Sequence, residues 1–263
     1  MLSLFINNNP STNKIISPLG NQVIVNLNPP ILLDEKKKFE LRLLNANIVY
    51  SMPNVSSNNN TLTYIFQGRT HNIIFDNGLY SLDDINITVG LYTAIGNNGG
   101  DGSLIQFEAD EATSKIYCFF SQAHVIIDCG AVNSIMPMLG FPASSGQIGG
   151  LIIASWIKSA NAAQLNAIQN IIIKCDITTG SYTNSQMSNI ISVVVPNVGS
   201  YSTIIYYPVH PVRCPINVAR IDSITFTLVD QNGNDIDMGS NGGTEIPELW
   251  SIVITISEKE PLM

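Results

Sequence analysis

The sequence predicts an all-β protein, an antiparallel sandwich or barrel with one short amphipathic helix. Three observations predict it. β-Branched and aromatic residues dominate the chain, and Gly/Asn/Asp clusters break it about every ten residues. Several of the intervening runs also alternate apolar and polar residues with period two. Units of strand, helix and parallel strand would need longer helical stretches between the apolar runs.

Strands are expected at residues 22–27, 39–50, 61–66, 72–75, 103–108, 115–120 and 125–129. Six more are expected at 151–157, 170–177, 189–195, 202–207, 223–229 and 250–256. The alternation is clearest in the run from Ser223 to Val229. There Ile224, Phe226 and Leu228 share one face, and Thr225 and Thr227 the other. Asn77-Gly78, Asp101-Gly102 and Asn232-Gly233 offer the positive φ angles of tight hairpin turns. Pro29-Pro30 and the segment from Pro208 to Pro211 read as rigid crossings between strands.

The helix is expected over residues 82–95, where Leu82, Ile85, Val89, Tyr92 and Ile95 line one face and Asn86, one position past Ile85, faces outward. Ser81 is its N-cap and Asp84 completes a capping box; Asp83 and Asp84 also favour the positive end of the helix dipole. Gly90 costs about 1 kcal/mol in the interior, so packing must hold this helix in place. A second short helix is expected at 161–168, with Asn161 and Gln164 as its cap pair. Residues 1–21 read as an N-terminal arm, 22–257 as one domain and 258–263 as a tail. No repeat of fixed period is visible.

Composition narrows the function. Of 263 residues 45% are hydrophobic, enough for a sizeable core, but only 12% are charged. Asn, Ser, Thr and Gly supply the polarity instead. A surface polar but poor in charge suits contact with other protein surfaces, because an amide loses less than an ammonium on desolvation. An AT-rich genome, which inflates Asn and Ile, would give the same bias. The net charge of −8 and the absence of a basic stripe argue against nucleic-acid binding. The longest apolar runs are far below the ~20 residues of a membrane span. The opening Met1-Leu2-Ser3-Leu4-Phe5-Ile6 has no charged n-region and is too short for a signal peptide, so secretion is not expected.

Cys118, Cys129, Cys175 and Cys214 form no C-x-x-C pair, so zinc has little support and four reduced, buried thiols are expected. Sequons begin at Asn54, Asn59 and Asn86 but have no meaning without export. There is no G-x-S-x-G elbow, Walker A loop, H-E-x-x-H or dinucleotide fingerprint. The stretch from Gly96 to Gly102 lacks the Lys-Ser/Thr of a phosphate cradle and reads as a plain loop. His71, His124 and His210 are scattered, and a cupin-like metal site would require them to converge. Glu108, Asp110 and Glu111 form an acidic knot that reads as a solvated hairpin end rather than an acid/base pair. Oxygen side chains at Asp230, Asn232, Asn234, Asp235 and Asp237 resemble a calcium loop, but the bidentate Glu is missing. An Asn-Gly turn with Asx hydrogen bonds fits better. No catalytic, cofactor or metal residue is therefore assigned.

The order of several short motifs carries more. The chain runs Phe39-Glu40-Leu41-Arg42-Leu43-Leu44, Tyr50-Ser51-Met52-Pro53-Asn54-Val55, then Asn59-Asn60-x-Leu62-x-Tyr64. Asn77-Gly78-Leu79-Tyr80-Ser81-Leu82-x-Asp84-Ile85-Asn86 and Leu139-Gly140-Phe141 follow. The series ends with Ile172-Ile173-x-Cys175-Asp176-Ile177-x-x-Gly180-Ser181 and Leu228-Val229-Asp230-Gln231-Asn232-Gly233-Asn234. This succession resembles the penton (minor capsid) proteins of Polinton/Maverick elements, adintoviruses and virophages, over residues 22–256. Ser51-Met52 replaces a bulkier aromatic pair, and residues 1–21 have no counterpart.

The resemblance implies a single jelly-roll β-sandwich, five copies of which close the vertices of an icosahedral shell. It implies no active site and no cofactor. The implied partners are further copies in a homopentamer and the major capsid protein of the same virion, with no membrane and no specific nucleic acid. The implied place is the capsid vertex of a virion assembled inside the host cell. The alternatives are another jelly-roll virion protein (spike, fibre or shell subunit), a cupin-like enzyme, or a carbohydrate-binding jelly-roll, for which Trp156 and Trp250 alone offer no obvious aromatic platform.

Overall fold

The computed structural model describes residues 1–9, 14–15, 17–96, 104–150, 155–165, 168–179, 181–183, 186–199, 201–239 and 247–259. The chain forms two compact units, Met1–Met52 with Ile168–Met263, and Pro53–Ala167. The first unit opens with β1 (Leu2–Asn7), β2 (Lys14–Ile15), β3 (Gln22–Leu32) and β4 (Phe39–Val49). The second holds β5 (Thr61–Phe66), β6 (Arg69–Ile74), α1 (Leu82–Gly96), β7 (Ile105–Asp110), β8 (Lys115–Phe120), β9 (Val125–Asp128), β10 (Gln147–Gly150) and β11 (Ser155–Lys158). The chain then returns to the first unit with β12 (Ile171–Cys175), β13 (Ser181–Thr183), β14 (Gln186–Ser188), β15 (Ile190–Val194) and β16 (Thr203–Tyr206). It finishes that unit with β17 (Cys214–Ile216), β18 (Arg220–Val229) and β19 (Trp250–Glu258).

All strand pairs are antiparallel. In the first unit one sheet runs β1-β19-β4-β16 with β17 also on β4, and the other runs β15-β12-β18-β3-β2. Apart from β2 and β3, neighbours in these sheets are distant in sequence, as in a sandwich whose strands cross over. Strand β4 shows how the sequence sets the core. Leu41 and Leu43 point inward, and so do Ala46 and Ile48, although the two pairs are out of phase. The phase changes because Leu43 faces Ile254 while Asn45 faces Val253, leaving Leu44 as a bulge. On β18 the inward face is Ile224, Phe226 and Leu228, as the alternation requires.

Residues expected as an arm contribute strand β1, whose six residues pair with β19 from Leu2↔Ile256 to Asn7↔Ser251. Asn8 then ties the end of β1 to the start of β19. Its Oδ1 accepts from Trp250 N at 2.8 Å, and its Nδ2 donates to Glu248 O at 2.9 Å. The Trp250 indole is buried and donates to Gly20 O at 2.9 Å.

In the second unit the sheets run β10-β9-β5-β6 and β11-β8-β7. Their inner faces supply Leu62, Tyr64, Ile73, Phe107, Ile116, Phe120 and Ile127 to one core, which Ile85 and Val89 of α1 join. The helix has the expected capping box. Ser81 N and Oγ both donate to Asp84 Oδ2, at 2.9 and 2.7 Å, and Asp84 N donates back to Ser81 Oγ at 3.2 Å.

Several expectations are corrected. Pro29-Pro30 is not a crossing but lies within β3, where residues 27–30 bulge opposite Asp222 between the pairs Ile31↔Ile221 and Asn26↔Ser223. A bulge tolerates residues without an N–H. Asn77-Gly78 is not a hairpin turn: Gly78 forms an isolated bridge with Val55, donating to and accepting from its backbone. The strand expected at 72–75 starts at Arg69, because Gln67-Gly68 makes the two-residue turn, with φ of 52° and 74°.

The short helix expected at 161–168 is absent over 161–165. Those amides pair elsewhere, Asn161 N with Gly140 O, Ala163 N with Ser114 O and Gln164 N with Met138 O. Tyr92 was expected in the buried stripe of α1 but is 44% exposed. Val89, one turn earlier, is the last stripe residue seen in the core, and a phenol at a helix end keeps its hydroxyl in water. The side chain of Ile95, the Asp101-Gly102 turn, residues 97–103, residues 151–154 of an expected strand, and residues 260–263 of the expected tail lie outside the described residues. The segment from Pro208 to Pro211 does connect two strands, β16 and β17, which both pair with β4.

Candidate functional site

The residues weighed as chemical candidates do not assemble into one centre. His71 lies on β6 with its ring stacked on Tyr64, centroids 4.9 Å apart. His124 occupies a turn before β9 with φ of 64° and donates its backbone N–H to Gly150 O. His210 belongs to the other unit, in the connection between β16 and β17. Among the described residues no three His, Cys, Asp or Glu side chains are grouped to hold a metal ion. All four cysteines are buried and none is in a disulfide.

Asp230 closes a hairpin end. Its Oδ1 accepts from the N–H groups of Asn232 and Asn234, both at 2.8 Å, and its Oδ2 from Asn234 Nδ2 at 3.1 Å. Gly233, with φ of 87°, makes the turn. Burial pushes the Asp230 carboxyl up, but these hydrogen bonds outweigh it and hold the carboxyl below its usual range. Both Asp230 oxygens, which a calcium loop would direct at an ion, are here engaged by N–H donors. Asp235 Oδ1 likewise accepts from Asn21 Nδ2 at 2.9 Å.

The acidic knot has a more particular setting. Strands β7 and β8 put Ile105, Phe107, Ile116, Cys118 and Phe120 into the core, and Ile157 of β11 packs against it. The alternate residues form two rows across the outer face: Trp156, Phe119 and Gln106 in one, Lys158, Tyr117 and Glu108 in the other. The Trp156 ring leans on Phe119, centroids 4.7 Å apart, and meets Tyr117 edge-on at 6.2 Å. It remains 49% exposed. Lys158 Nζ lies 5.1 Å from the centre of the Tyr117 ring and pairs with Asp110.

Asp110 also accepts from Thr113 Oγ1 at 2.7 Å and Ala112 N at 3.1 Å. Lys158 first, then Thr113, draws its carboxyl down to about 2. The same contact with Asp110, aided by Tyr117, raises the Lys158 ammonium. Glu108, Asp110, Glu111, Tyr117 and Trp156 line a shallow open depression. Among the described residues neither Glu108 nor Glu111 has a side-chain hydrogen bond or ion pair.

A second surface belongs to the first unit. Strands β15 and β16 are the edges of its two sheets, joined where Ser192 Oγ bonds Tyr206 Oη at 3.2 Å. Val193, Val195, Ile205, Tyr207, Val209 and Val212 are all exposed along and just beyond these edges. No charged side chain interrupts this set until Arg213.

No protein-family model and no curated protein matches the sequence. Among solved structures the chain is similar to the mavirus penton protein, with 11% identity and a TM-score of 0.51, over 98% of this chain and 100% of that chain. The two share a fold. The all-β jelly-roll that the sequence predicts, with antiparallel sheets and one α-helix among the described residues, is the fold of this chain.

Within this penton-like fold, sequence reading missed two things. In the sequence Trp156 stands far from Tyr117 and Phe119, which meet it only through strand pairing. Period-two alternation in the run Lys115 to Phe120, with Tyr117 and Phe119 on the polar phase, was the available signal. Sequence reading also treated Asn86 as an outward residue. In fact Asn86 Nδ2 donates to Phe107 O and its Oδ1 accepts from Phe107 N, both at 2.8 Å. Trp250, the other aromatic considered for sugar binding, is in the core.

Proposed function

We propose that this protein is a structural capsid subunit, five copies of which form the vertices of an icosahedral viral shell. The observation that carries the reading is the fold shared with the mavirus penton protein along nearly the whole of both chains. The ordered motifs from Phe39 to Asn234, which resemble those of penton proteins, support it independently of the fold. In this reading the protein acts by shape and contact, without catalysis, and its place is the virion.

The charge-poor edge of β15 and β16 is the surface offered to a neighbouring subunit. An exposed strand edge with apolar side chains is an association hazard unless it is covered, and closed cyclic assembly covers it. The major capsid protein of the same virion is the second neighbour.

Light scattering coupled to size-exclusion chromatography tests the subunit count, with a pentamer expected alone or on co-expression with the major capsid protein. Electron cryomicroscopy of particles then places the chain. Density for an unrelated protein at the five-fold positions would overturn the vertex assignment.

A further inference from the structure

We propose that the depression on the outer face of β7, β8 and β11 docks a cationic protein segment, seating an arginine or lysine head against Trp156 beside Glu108 and Glu111. The inference goes beyond the vertex reading and stands without it.

It begins with rigidity. The Trp156 ring is braced by Phe119 and Tyr117 and keeps about half its surface open. Among aromatic rings an indole face is the strongest partner for a cation, and a ring already fixed loses little entropy when one arrives. The chain itself shows this chemistry next door, where Lys158 rests over Tyr117 with Asp110 as its counter-ion. That pair is internally balanced. Glu108 and Glu111 are not: three carboxylates line the depression, and of the two lysines beside it on this face Lys158 pairs with Asp110 while Lys115 donates to Ala160 O. In a protein with only 12% charged residues, two uncompensated carboxylates beside an open tryptophan are a local concentration of negative charge.

The occupant follows from complementarity. A guanidinium stacks on an indole and bonds a carboxylate in its own plane, so arginine satisfies both features at once. A neutral sugar would use the ring but gains little from unpaired charge, and an acidic sugar is repelled by it. A peptide also accounts for the open, shallow shape, which leaves room for a chain to cross.

The test uses the full chain and a fluorescein-labelled tetra-arginine peptide at low salt, read by fluorescence anisotropy. Saturable binding is expected, weakened about tenfold by Trp156→Ala and about tenfold by Glu108→Gln with Glu111→Gln. Trp156→Phe should fall between. Glu35→Gln with Asp76→Asn removes two exposed carboxylates elsewhere and should leave the affinity unchanged. Thermal melts check that each variant is folded, and the carboxamide pair keeps the test open should Trp156→Ala fail to fold.

Equal losses from the control pair would mean that the peptide follows net charge, which overturns the proposal. So would the absence of any saturable binding. Binding of maltohexaose that needs Trp156 but not Glu108 or Glu111, without binding of the arginine peptide, would reassign the platform to sugars. The subunit count is measured separately, so failure here leaves the vertex reading untouched.

Discussion

Asn86 stands one residue past Ile85 on α1, and its replacement by alanine tests how the helix is held. The side-chain amide makes two hydrogen bonds of 2.8 Å to Phe107, one to its N–H and one to its C=O, on the edge of β7 that faces the helix. Asn86 thus stands in for a missing strand. Truncation leaves one donor and one acceptor on a part-buried backbone, where an unsatisfied group costs about 1–3 kcal/mol. Partial access to water lowers the sum, so Asn86→Ala should lose about 1–3 kcal/mol in total.

Ile85→Ala, at a fully buried position, should lose about 2–5 kcal/mol by leaving a cavity. Asn86→Asp keeps the acceptor for Phe107 N but aims a lone pair at Phe107 O, so it should be no better than alanine. Urea denaturation followed by circular dichroism gives the midpoints. Hydrogen exchange of the peptide spanning β7 gives the local effect, with protection at the Phe107 amide lost first. An Asn86→Ala protein with the parent's midpoint and unchanged exchange at Phe107 would refute the reasoning.

Three further outcomes are expected. Asn8→Ala should destabilise the first unit by about 2–4 kcal/mol, since it strands the buried Trp250 N–H and the Glu248 carbonyl; a calorimetric melt within error of the parent would contradict this. Burial raises the thiols of Cys118, Cys129, Cys175 and Cys214 above the usual 9.0, Cys129 to about 11. Above pH 9 the unfolded chain therefore binds fewer protons than the folded one, and stability should fall as pH rises from 9 past 11. Tyr50 and Tyr64, also raised by burial, add to the loss beyond pH 10, and a denaturant midpoint that stays flat across this range would count against it. Alkylation before any reduction should label none of the thiols in the native protein and all of them in denaturant, as read by mass spectrometry.

Sequence periodicity found most of the strands because each needs only one buried face, and that face is written locally. The run from Thr61 to Phe66 and the run from Lys115 to Phe120 agree with the structure to the residue. Failures fall where pairing, rather than pattern, decides. Pro29-Pro30 sits in a strand because the partner strand permits a bulge, and nothing near the prolines announces Asp222. Leu2 to Asn7 looked like an arm because its partner is at the opposite end of the described chain. The outer-face cluster was invisible for the same reason: Trp156, Tyr117 and Glu108 come from three strands. Asn86 was misread because helical angle alone put it outside, whereas its length lets it reach a strand edge.

The order of elements along the chain has a consequence for how the molecule forms. Strands β5 to β11 are contiguous, so the second unit has all its pairing partners once residue 167 is made. The first unit does not. Its β19 lies between β1 and β4, and the Asn8 to Trp250 bond closes a separation of 242 residues. During synthesis β1 and β4 must wait, unpaired on the sides that β19 will fill, while the second unit is completed. Closing so long a loop is slow, and the waiting edges are open to wrong partners in the meantime. The apolar row on β16 can be displayed only after β4 has a sheet to belong to. Translation order therefore delays the association-prone surface until the subunit carrying it is nearly whole.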